Sequence, residues 1–283
     1  MRFISIIYIV NRTNTELILE TFIGWIKLFL HTLEEKMADF TQYSEQNFVD
    51  EFNMMQMYDQ PLVGVAGASD PLWEIMKEPN VVGPDHLTPK EWLPEANSVI
   101  SYFLPFTEEI RSSNWLEGPP SKEWLYGRCE GEMFNNALRR LIIDVIEAEE
   151  GTALAPALNK RFAVINHISN WSERHVAFIA GLGTFSLSHS LITCLGTAGR
   201  FGSVIVDLKF EPKPRLYQEV EEYCDKCGTC IDRCPSRAIT ENGKDKERCS
   251  QYLYEILELN KPRYGCGKCQ TAVPCEYKNP KLN

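Results

Sequence analysis

Four closely spaced cysteines and a proline constrain this chain more than any other feature. Residues 224–235 read Cys-Asp-Lys-Cys-Gly-Thr-Cys-Ile-Asp-Arg-Cys-Pro, a C-x2-C-x2-C-x3-C-P spacing. Two-residue gaps let a tight turn direct three successive sulfurs at one iron–sulfur cube, while the fourth thiolate turns toward another. Gly228 and Thr229 are small, so the backbone can approach a cluster closely. The spacing therefore predicts a segment that folds around iron–sulfur clusters.

Four further cysteines lie downstream: Cys249, Cys266, Cys269 and Cys275. Together with the first four they make eight, the number that two four-iron clusters need. By the ligand pattern of bacterial ferredoxins, Cys224, Cys227 and Cys230 take Cys275, while Cys234 joins Cys249, Cys266 and Cys269. The role of Cys275 is left open, because five residues separate it from Cys269 and Pro274 precedes it.

Disulfides and structural zinc are the alternatives for these cysteines. Disulfides require an oxidising compartment, usually in a small secreted domain, and this chain is large with no convincing export signal. Zinc needs only two C-x2-C units, whereas the additional Cys230 and the C-P ending fit a cube better. The two remaining cysteines, Cys129 and Cys194, are interpreted as small buried hydrophobic residues.

The length and the charge of the chain limit the number of domains and the classes of partner. A chain of 283 residues suits two domains. Residues 215–283 hold 12 Lys plus Arg against 11 Asp plus Glu, so all of the net negative charge of the chain lies before residue 215. Nucleic acid is therefore a poor default partner, and the pairs Arg139-Arg140 and Lys160-Arg161 are interpreted as solvated surface.

Residues 1–36 differ in character from the rest of the chain. They contain an apolar run at 3–10 and a second apolar stretch at 22–30, but Glu16, Glu20 and Lys27 interrupt any stretch long enough to span a bilayer. We expect an extension that lies on the domain or on a membrane surface. Met37 opens a sequence resembling an ordinary start, so residues 1–36 are a candidate non-native extension. The expected localisation is cytoplasmic.

Short apolar runs alternate with helical patterns from about residue 60. Strands are predicted at residues 62–66, 98–104, 162–168 and 203–208. One helix is predicted after the capping box of Thr88 and Glu91, with Pro89 at its first position. A second follows the apolar stripe of residues 134–146 with Gly151 at its cap, and a third runs from Ser172 to Gly181.

This alternation predicts an α/β (α+β) fold: a layered α/β domain followed by a small, bacterial ferredoxin-like domain stabilised by two [4Fe-4S] clusters. The expected boundaries are an extension at 1–40, an α/β domain for substrate and cofactor at 41–213, and the two-cluster domain at 214–283. The glycine-rich segment 180–193 has Ser186 where a dinucleotide fingerprint needs its third glycine, and it follows a helix, so the pattern argues against a Rossmann site. A tight structural turn is the alternative for these glycines.

Several separated motifs occur in one order: LPEANSVISYFLPF at 93–106, YGR at 126–128, AGLGTFSLSHSLIT at 180–193, FGSVIVDLKFEP at 201–212, RCSQYL at 248–253 and YGCGKCQ at 264–270. With the cysteine run, this order resembles the epoxyqueuosine reductase family and, more distantly, corrinoid reductive dehalogenases, over roughly residues 61–277. The resemblance implies a nitroreductase-like α/β domain that holds a base-off corrinoid, reached by single electrons from two four-iron clusters. It also implies cofactor contacts near Tyr126, Arg128, Gly181, Gly183, Thr184 and His189.

Three departures from the family pattern concern the substrate. His167 occupies the offset at which these reductases usually carry a catalytic aspartate, and it is a candidate proton donor because the pKa of histidine ordinarily lies near neutrality; a structural histidine is the alternative. Ser186 replaces a glycine of the family's G-L-G-x-x-G turn. The chain also lacks the C-terminal helical-repeat extension that helps many members hold tRNA, and this makes tRNA a doubtful substrate.

The sequence thus predicts an iron–sulfur reductase that relays single electrons through two [4Fe-4S] clusters to a site in the α/β domain. A corrinoid such as cobalamin is the candidate cofactor at that site, and a flavin is a weaker alternative. The expected partners are a low-potential electron donor of the ferredoxin or flavodoxin type and a small-molecule or unassigned substrate. The competing function is a ferredoxin-like electron carrier that docks on a partner enzyme and binds no organic cofactor.

Overall fold

The computed structural model describes residues 15–282, with side chains from residue 24 onward. The helices are α1 (Thr15–Tyr43), α2 (Leu72–Ile75), α3 (Pro89–Trp92), α4 (Glu108–Ser113), α5 (Lys122–Ala148), α6 (Glu173–Ile179), α7 (Thr229–Asp232) and α8 (Lys246–Asn260). The strands are β1 (Phe48–Val49), β2 (Met55–Gln56), β3 (Leu62–Gly67), β4 (Ser98–Pro105), β5 (Ala153–Leu154), β6 (Val164–Ile165), β7 (Ile168–Ser169), β8 (Gly183–Phe185), β9 (Leu191–Thr193), β10 (Gly199–Val206), β11 (Ile239–Thr240) and β12 (Gly243–Lys244). The apolar run at residues 3–10 lies outside the described residues.

A four-stranded antiparallel sheet in the order β3-β4-β10-β5 forms the centre of the first domain. All eight residues of β4 are buried. Successive side chains of a strand point to opposite faces, and accordingly Ile100 and Tyr102 enter one hydrophobic core while Val99 and Phe103 enter a second. Both faces of the sheet are therefore covered, as the layered α/β prediction requires.

Helix α1 packs against the first of these cores. Ile26, Phe29, Leu33 and Met37 are buried at the i, i+3, i+7 and i+11 positions of one helical face. Phe29 stacks on Phe210, with ring centroids 6.1 Å apart. The helix thus lies on the α/β domain and continues across residue 40, so the division placed there stays a prediction. In the part of the chain that the structure describes, no helix is long and apolar enough to cross a membrane.

Helix α5 has the buried stripe that its sequence predicts. Phe134, Leu138, Ile142 and Ile146 are fully buried. The helix ends in a Schellman motif, in which the Gly151 N–H donates to the Ile146 carbonyl at 3.1 Å. The left-handed residue of this motif is Glu150, with φ 63°, and not Gly151 as expected.

The single strand predicted at residues 162–168 is wrong. This segment forms the hairpin β6–β7, in which Val164 pairs with Ser169 and Ile165 with Ile168. Asn166 and His167 make the turn with φ 50° and 61°, and two central residues with positive φ are typical of a type I′ hairpin turn. The strand predicted at 203–208 is β10, which begins four residues earlier, whereas the predictions for β3 and β4 agree with the structure to within a residue.

The cysteine-rich segment contains little regular structure beyond α7, the β11–β12 pair and α8. It is joined to the first domain by backbone hydrogen bonds, from the Thr197 N–H to the Cys275 carbonyl at 2.9 Å and from the Ala198 N–H to the Glu276 carbonyl at 3.0 Å. The Asn114 amide donates to the Cys266 carbonyl at 3.0 Å. The segment therefore lies directly against the start of β10, and a layered α/β domain followed by a small cysteine-rich region is the observed architecture.

Candidate redox site

The eight clustered cysteines interact electrostatically as two sets of four, and Cys230 of the first set also interacts with Cys269 of the second. Burial raises the pKa of the Cys275 thiol to about 12, and the neighbouring Cys224, Cys230 and Cys227 act on this pKa in the same direction. We call these four the first cysteine group: Cys224, Cys227, Cys230 and Cys275. Its apolar surroundings include Leu187, Ile192 and Ile239.

The second cysteine group consists of Cys234, Cys249, Cys266 and Cys269. Burial raises the pKa of the Cys266 thiol to about 12, and Cys269, Cys249 and Cys234 all act on it in the same direction. Within the described residues, no three His, Cys, Asp or Glu side chains are placed to share a single metal ion; a four-iron cube instead binds each thiolate to a different iron. Ligation by either group stays a prediction, as does the role of Cys275.

The second cysteine group lines a cleft between the two parts of the molecule. The cleft has a volume of about 730 Å³ and is walled by α5, the β6–β7 hairpin, the start of α6, β10 and the cysteine-rich segment. Its aromatic walls include Phe162, Trp171, Phe201 and Tyr252. All four cysteines of the second group contribute to its lining, whereas none of the first group does. Chemistry in the cleft would therefore take place beside the second group.

The lining of the cleft is cationic, although the whole chain has a net charge of −10. Its charged side chains are five cations, Arg128, Arg139, Arg174, Arg200 and Lys244, and two carboxylates, Glu132 and Glu173. The lining thus has three more cations than carboxylates before any cluster is added. A local charge of this sign could not be read from the average composition.

A buried ionic network holds one wall of the cleft. Arg139 is 1% exposed and binds Glu132 at 2.8 Å and Glu173 at 3.2 Å. Burial alone would raise the pKa of Glu132, but Arg200 and Arg139 together lower it to about 2. The interpretation of Arg139 as solvated surface is therefore wrong, because α5 turns this side chain inward; its neighbour Arg140 is exposed as expected.

Replacing Arg139 with glutamine should strongly destabilise the fold. The substitution would leave Glu132 and Glu173 without their shared cation, and breaking a buried ion pair typically costs about 3–5 kcal/mol of unfolding free energy. Urea denaturation would measure the loss. The exposed Arg140→Gln is the matched control, and we expect it to change stability by less than about 0.5 kcal/mol. Equal stabilities for the two variants would contradict this role of Arg139.

Tyr126 and Arg128 of the YGR motif point to different faces of α5. Arg128 lines the cleft, donates to the Tyr264 hydroxyl at 2.9 Å and stacks over the Tyr264 ring. Tyr126 instead lines a separate groove, where Arg263 stacks 3.6 Å from the centre of its ring. Only Arg128 is thus placed for contact with a ligand in the cleft, and both assignments as cofactor contacts stay predictions.

The glycine-rich turn is packed against its own backbone. Gly181 has φ 81°, and a Cβ at Gly183 would lie 1.9 Å from the Ile192 carbonyl oxygen across the β8–β9 pair. Thr184 is fully buried, and its Oγ1 accepts from the Tyr223 N–H at 2.8 Å. These three residues are not part of the described cleft lining, so their suggested role in cofactor binding stays a prediction.

The two candidate histidines lie at the margin of the cleft. The carbonyl of His189 accepts from Arg174 at 2.5 Å, and burial lowers the pKa of its imidazole, as do Lys244 and Arg174. His167 occupies the β6–β7 turn with 36% of its side chain exposed and Nε2 3.6 Å from Glu247. Val164 and Ser169 of the same hairpin line the cleft, but His167 does not.

The two cysteines outside the groups are less buried than expected. Cys194 is exposed and Cys129 is partly exposed. Cys194 lies in the turn after β9, where the side chains of Leu195 and Cys194 both face outward, so the interpretation of Cys194 as a buried hydrophobic residue is wrong. Within the described residues, none of the ten cysteines forms a disulfide.

Sequence reasoning missed most of the charged cleft. Glu132, Glu173, Arg174, Arg200, Lys244 and Tyr252 line it, although no motif marks them as a set. One signal was available, because Glu173 and Arg174 precede the AGLG turn at the start of a predicted helix. Burial raises the pKa of the Glu173 carboxyl, which accepts from the Ser203 hydroxyl at 2.6 Å.

Known proteins share both the cysteine run and the preceding domain. Residues 217–240 match the 4Fe-4S binding domain family. The epoxyqueuosine reductase of Staphylococcus aureus is 26% identical over 211 residues, which cover 69% of this chain and 51% of the relative. That of Aliivibrio fischeri is 32% identical over 161 residues, covering 52% and 40%. The chain is thus similar in sequence to the epoxyqueuosine reductases. It spans about half the length of the curated relatives that it matches first.

Two solved structures share the fold of this chain. An epoxyqueuosine reductase with an epoxyqueuosine-modified tRNA stem loop has a TM-score of 0.51 at 18% identity, covering 87% of this chain and 66% of that one. A catabolic reductive dehalogenase has a TM-score of 0.54 at 14% identity, covering 77% and 30%. At these identities the likeness shows the fold alone. The predicted fold class and the predicted family resemblance are both confirmed.

Proposed function

We propose that this protein is an iron–sulfur reductase of the epoxyqueuosine reductase type. Two [4Fe-4S] clusters, one in each cysteine group, carry single electrons toward the cleft. The observation that carries this proposal is that all four cysteines of the second group line the cleft. An electron carrier alone has no need of a walled cavity beside its cluster, whereas a reductase needs a place in which to hold the group that is reduced.

A corrinoid is the cofactor that we propose for the cleft. The cavity of about 730 Å³ lies within the range of roughly 300–1,000 Å³ that small-molecule and cofactor sites occupy. Phe162, Phe201 and Tyr252 contribute apolar surface to the cleft lining, against which a flat macrocycle could pack. These features fit a corrinoid, which would supply a cobalt centre that changes oxidation state one electron at a time.

The residues of this chain would bind the clusters and the cofactor, orient the substrate and deliver a proton to it. The thiolates hold the clusters, and the cleft walls exclude water from the reacting group. Arg128 is the cation of the YGR motif that lies in the cleft lining. His167 is the proposed proton donor, from the hairpin turn next to Ser169 of the cleft wall.

Replacing His167 with asparagine should lower turnover while iron content stays unchanged. The substitution removes the imidazole that would deliver the proton, so the pH–rate profile should lose the step that this proton transfer contributes. Comparison of the two profiles measures the effect. His31→Asn is the control, because His31 lies on the exposed face of α1. An unchanged profile in His167→Asn would leave this histidine with a structural role only.

For the substrate and the electron donor, we propose a chemical class in each case. A low-potential donor of the ferredoxin or flavodoxin type would supply the electrons. The acidic composition of the chain argues for a small molecule over tRNA, but the excess of cations in the cleft lining weakens this argument where a substrate would bind. A tRNA stem loop therefore belongs among the substrates tested.

Metal analysis of protein purified without oxygen from cobalamin-fed cells tests the proposal. We expect about eight irons per chain, together with cobalt or an affinity for added cobalamin. Low-temperature EPR of the reduced protein should show spin coupling between two clusters. Iron without cobalt, with no affinity for cobalamin, would favour the ferredoxin-like carrier instead, and flavin absorbance released on denaturation would identify the weaker cofactor alternative.

A further inference from the structure

Three cationic side chains approach the second cysteine group. Arg174 interacts electrostatically with Cys269 and Cys249, Lys244 with Cys269, and Lys268 with Cys266. Within the described side chains, none of the three cations forms a salt bridge with a carboxylate. No carboxylate paired with these cations therefore reduces the effect of their positive charge on the second cysteine group.

Lys268 is the most informative of the three because it is buried. It lies between Cys266 and Cys269 in sequence and is 3% exposed. Its ammonium donates to the carbonyls of Asn114 at 3.1 Å and Leu116 at 2.7 Å. Neutral carbonyls do not balance a charge, and a buried cation is costly unless an anion is near. A four-thiolate cluster in the second group would be that anion.

Arg174 reaches the same group from the other domain. It lines the cleft together with all four cysteines of the second group. Its Nη1 is fixed by the bond to the His189 carbonyl at 2.5 Å. The α/β domain therefore places a guanidinium in the same cleft as the proposed second cluster.

The first cysteine group has surroundings of the opposite sign. Cys224 shares a surface hollow with four carboxylates and two ammonium groups: Glu219, Glu221, Glu222, Asp225, Lys226 and Lys281. The Asp225 carboxylate accepts from the Cys227 N–H at 3.2 Å. Lys226 is paired with Glu221 at 3.2 Å, so its charge is already offset. An added electron in the first group would thus face net negative charge.

We propose that this charge asymmetry makes the second cluster the better electron acceptor, so that electrons move from the first group to the second. The inference rests on the proposed function, since it requires both clusters. Reduction adds one negative charge to a cluster, which nearby cations stabilise and nearby carboxylates oppose, and net charge is one of the factors that set cluster potentials. Lys268 and Arg174 are positioning residues that act on the reduction through the second cluster.

The electron transfer between the two clusters needs no further reactant. The first cluster loses one electron and the second gains it, with no bond made or broken and no proton moved; a low-potential one-electron donor then reduces the first cluster again. The exposure of Cys227 opposes the asymmetry, because water stabilises the charge of a reduced cluster. Lys268 acts from a buried position, however, where each unit of charge has a larger effect than at the surface.

A potentiometric titration of the anaerobic holoprotein, followed by EPR with dithionite as reductant, tests the proposal. We expect two distinct midpoint potentials. Lys268→Gln should lower only the higher potential, by at least about the 59 mV that corresponds to a tenfold change for one electron. Arg174→Gln should lower the same potential, and it serves if the buried substitution fails to fold. Asp225→Asn should raise only the lower potential.

The exposed Lys278 provides the matched control, since it belongs to the same segment as Lys268. Lys278→Gln should leave both potentials unchanged. Two equal potentials, or a Lys268→Gln effect confined to the lower potential, would overturn the proposed asymmetry. Either result with full iron content would leave the proposed reductase intact, whereas a protein that binds iron for one cluster only would contradict the proposed function itself.

Discussion

Replacing Cys269 with serine should remove one cluster and spare the other. A serine hydroxyl is not ionised at neutral pH and cannot replace a thiolate, so iron should fall from about eight to about four per chain. Cys275→Ser should cause a loss of the same size from the other cluster. In both variants, the spin coupling between two reduced clusters should disappear from the EPR spectrum. Iron and sulfide analysis of anaerobically purified protein would measure the loss.

Cys194→Ser is the control for these variants, because Cys194 is exposed and lies outside both groups. It should retain full iron and the coupled spectrum. Cys275 is the more informative of the two targets, since its spacing in the sequence departs most from a ferredoxin. Full iron in Cys275→Ser would show that the first cluster takes its fourth ligand elsewhere.

Gly183→Ala should cause the second large effect, a loss of at least about 3 kcal/mol in unfolding free energy. The added Cβ would lie 1.9 Å from the Ile192 carbonyl oxygen. Because this contact is with backbone, no side-chain rotation relieves it, and the β8–β9 pair must separate. Urea denaturation of the holoprotein would measure the change.

Gly67→Ala is the matched control, since a Cβ there would meet only Pro212 Cγ at an ordinary 3.6 Å. We expect it to cost less than about 1 kcal/mol. Unchanged stability in Gly183→Ala would mean that β8 and β9 do not pair in solution. The expected instability also means that loss of cobalt in a Gly183 variant would not by itself identify a cofactor contact.

The spacing of the cysteines carried most of what could be predicted about the site. The C-x2-C-x2-C-x3-C-P run implies that three sulfurs face one way and Cys234 another, because short gaps leave the backbone few arrangements. The structure brings Cys275 to the first group despite its irregular spacing. Proximity of residues so far apart in the sequence depends on how the segment packs against Thr197, which no local pattern contains.

The charged cleft escaped prediction for a different reason. Arg139 and Arg140 are adjacent in the sequence, yet one is buried and the other exposed. The apolar stripe of α5 gives the orientation of the helix toward the core, but the ionic network depends on Glu173 from α6 and Arg200 from β10. Such a network becomes visible only when three separate elements are placed together.

The hairpin at His167 shows how a local signal can be misinterpreted. Val164, Ile165 and Ile168 are typical of a strand, and they are indeed extended. Asn166 is also a residue that accepts positive φ easily, which favours a turn at this position. The apolar residues outweighed this asparagine in the sequence-based prediction, so one strand was expected where two short ones pair.

The backbone hydrogen bonds from Thr197 and Ala198 to Cys275 and Glu276 have a consequence for oxidative damage. These two amides immediately precede β10, which pairs with two other strands at the centre of the sheet. If oxygen destroyed the proposed first cluster, we expect the Cys275 segment to lose its anchor and to expose both amides to solvent. Faster deuterium uptake at residues 197 and 198 would then report damage to that cluster, so the start of β10 would be sensitive to oxygen exposure.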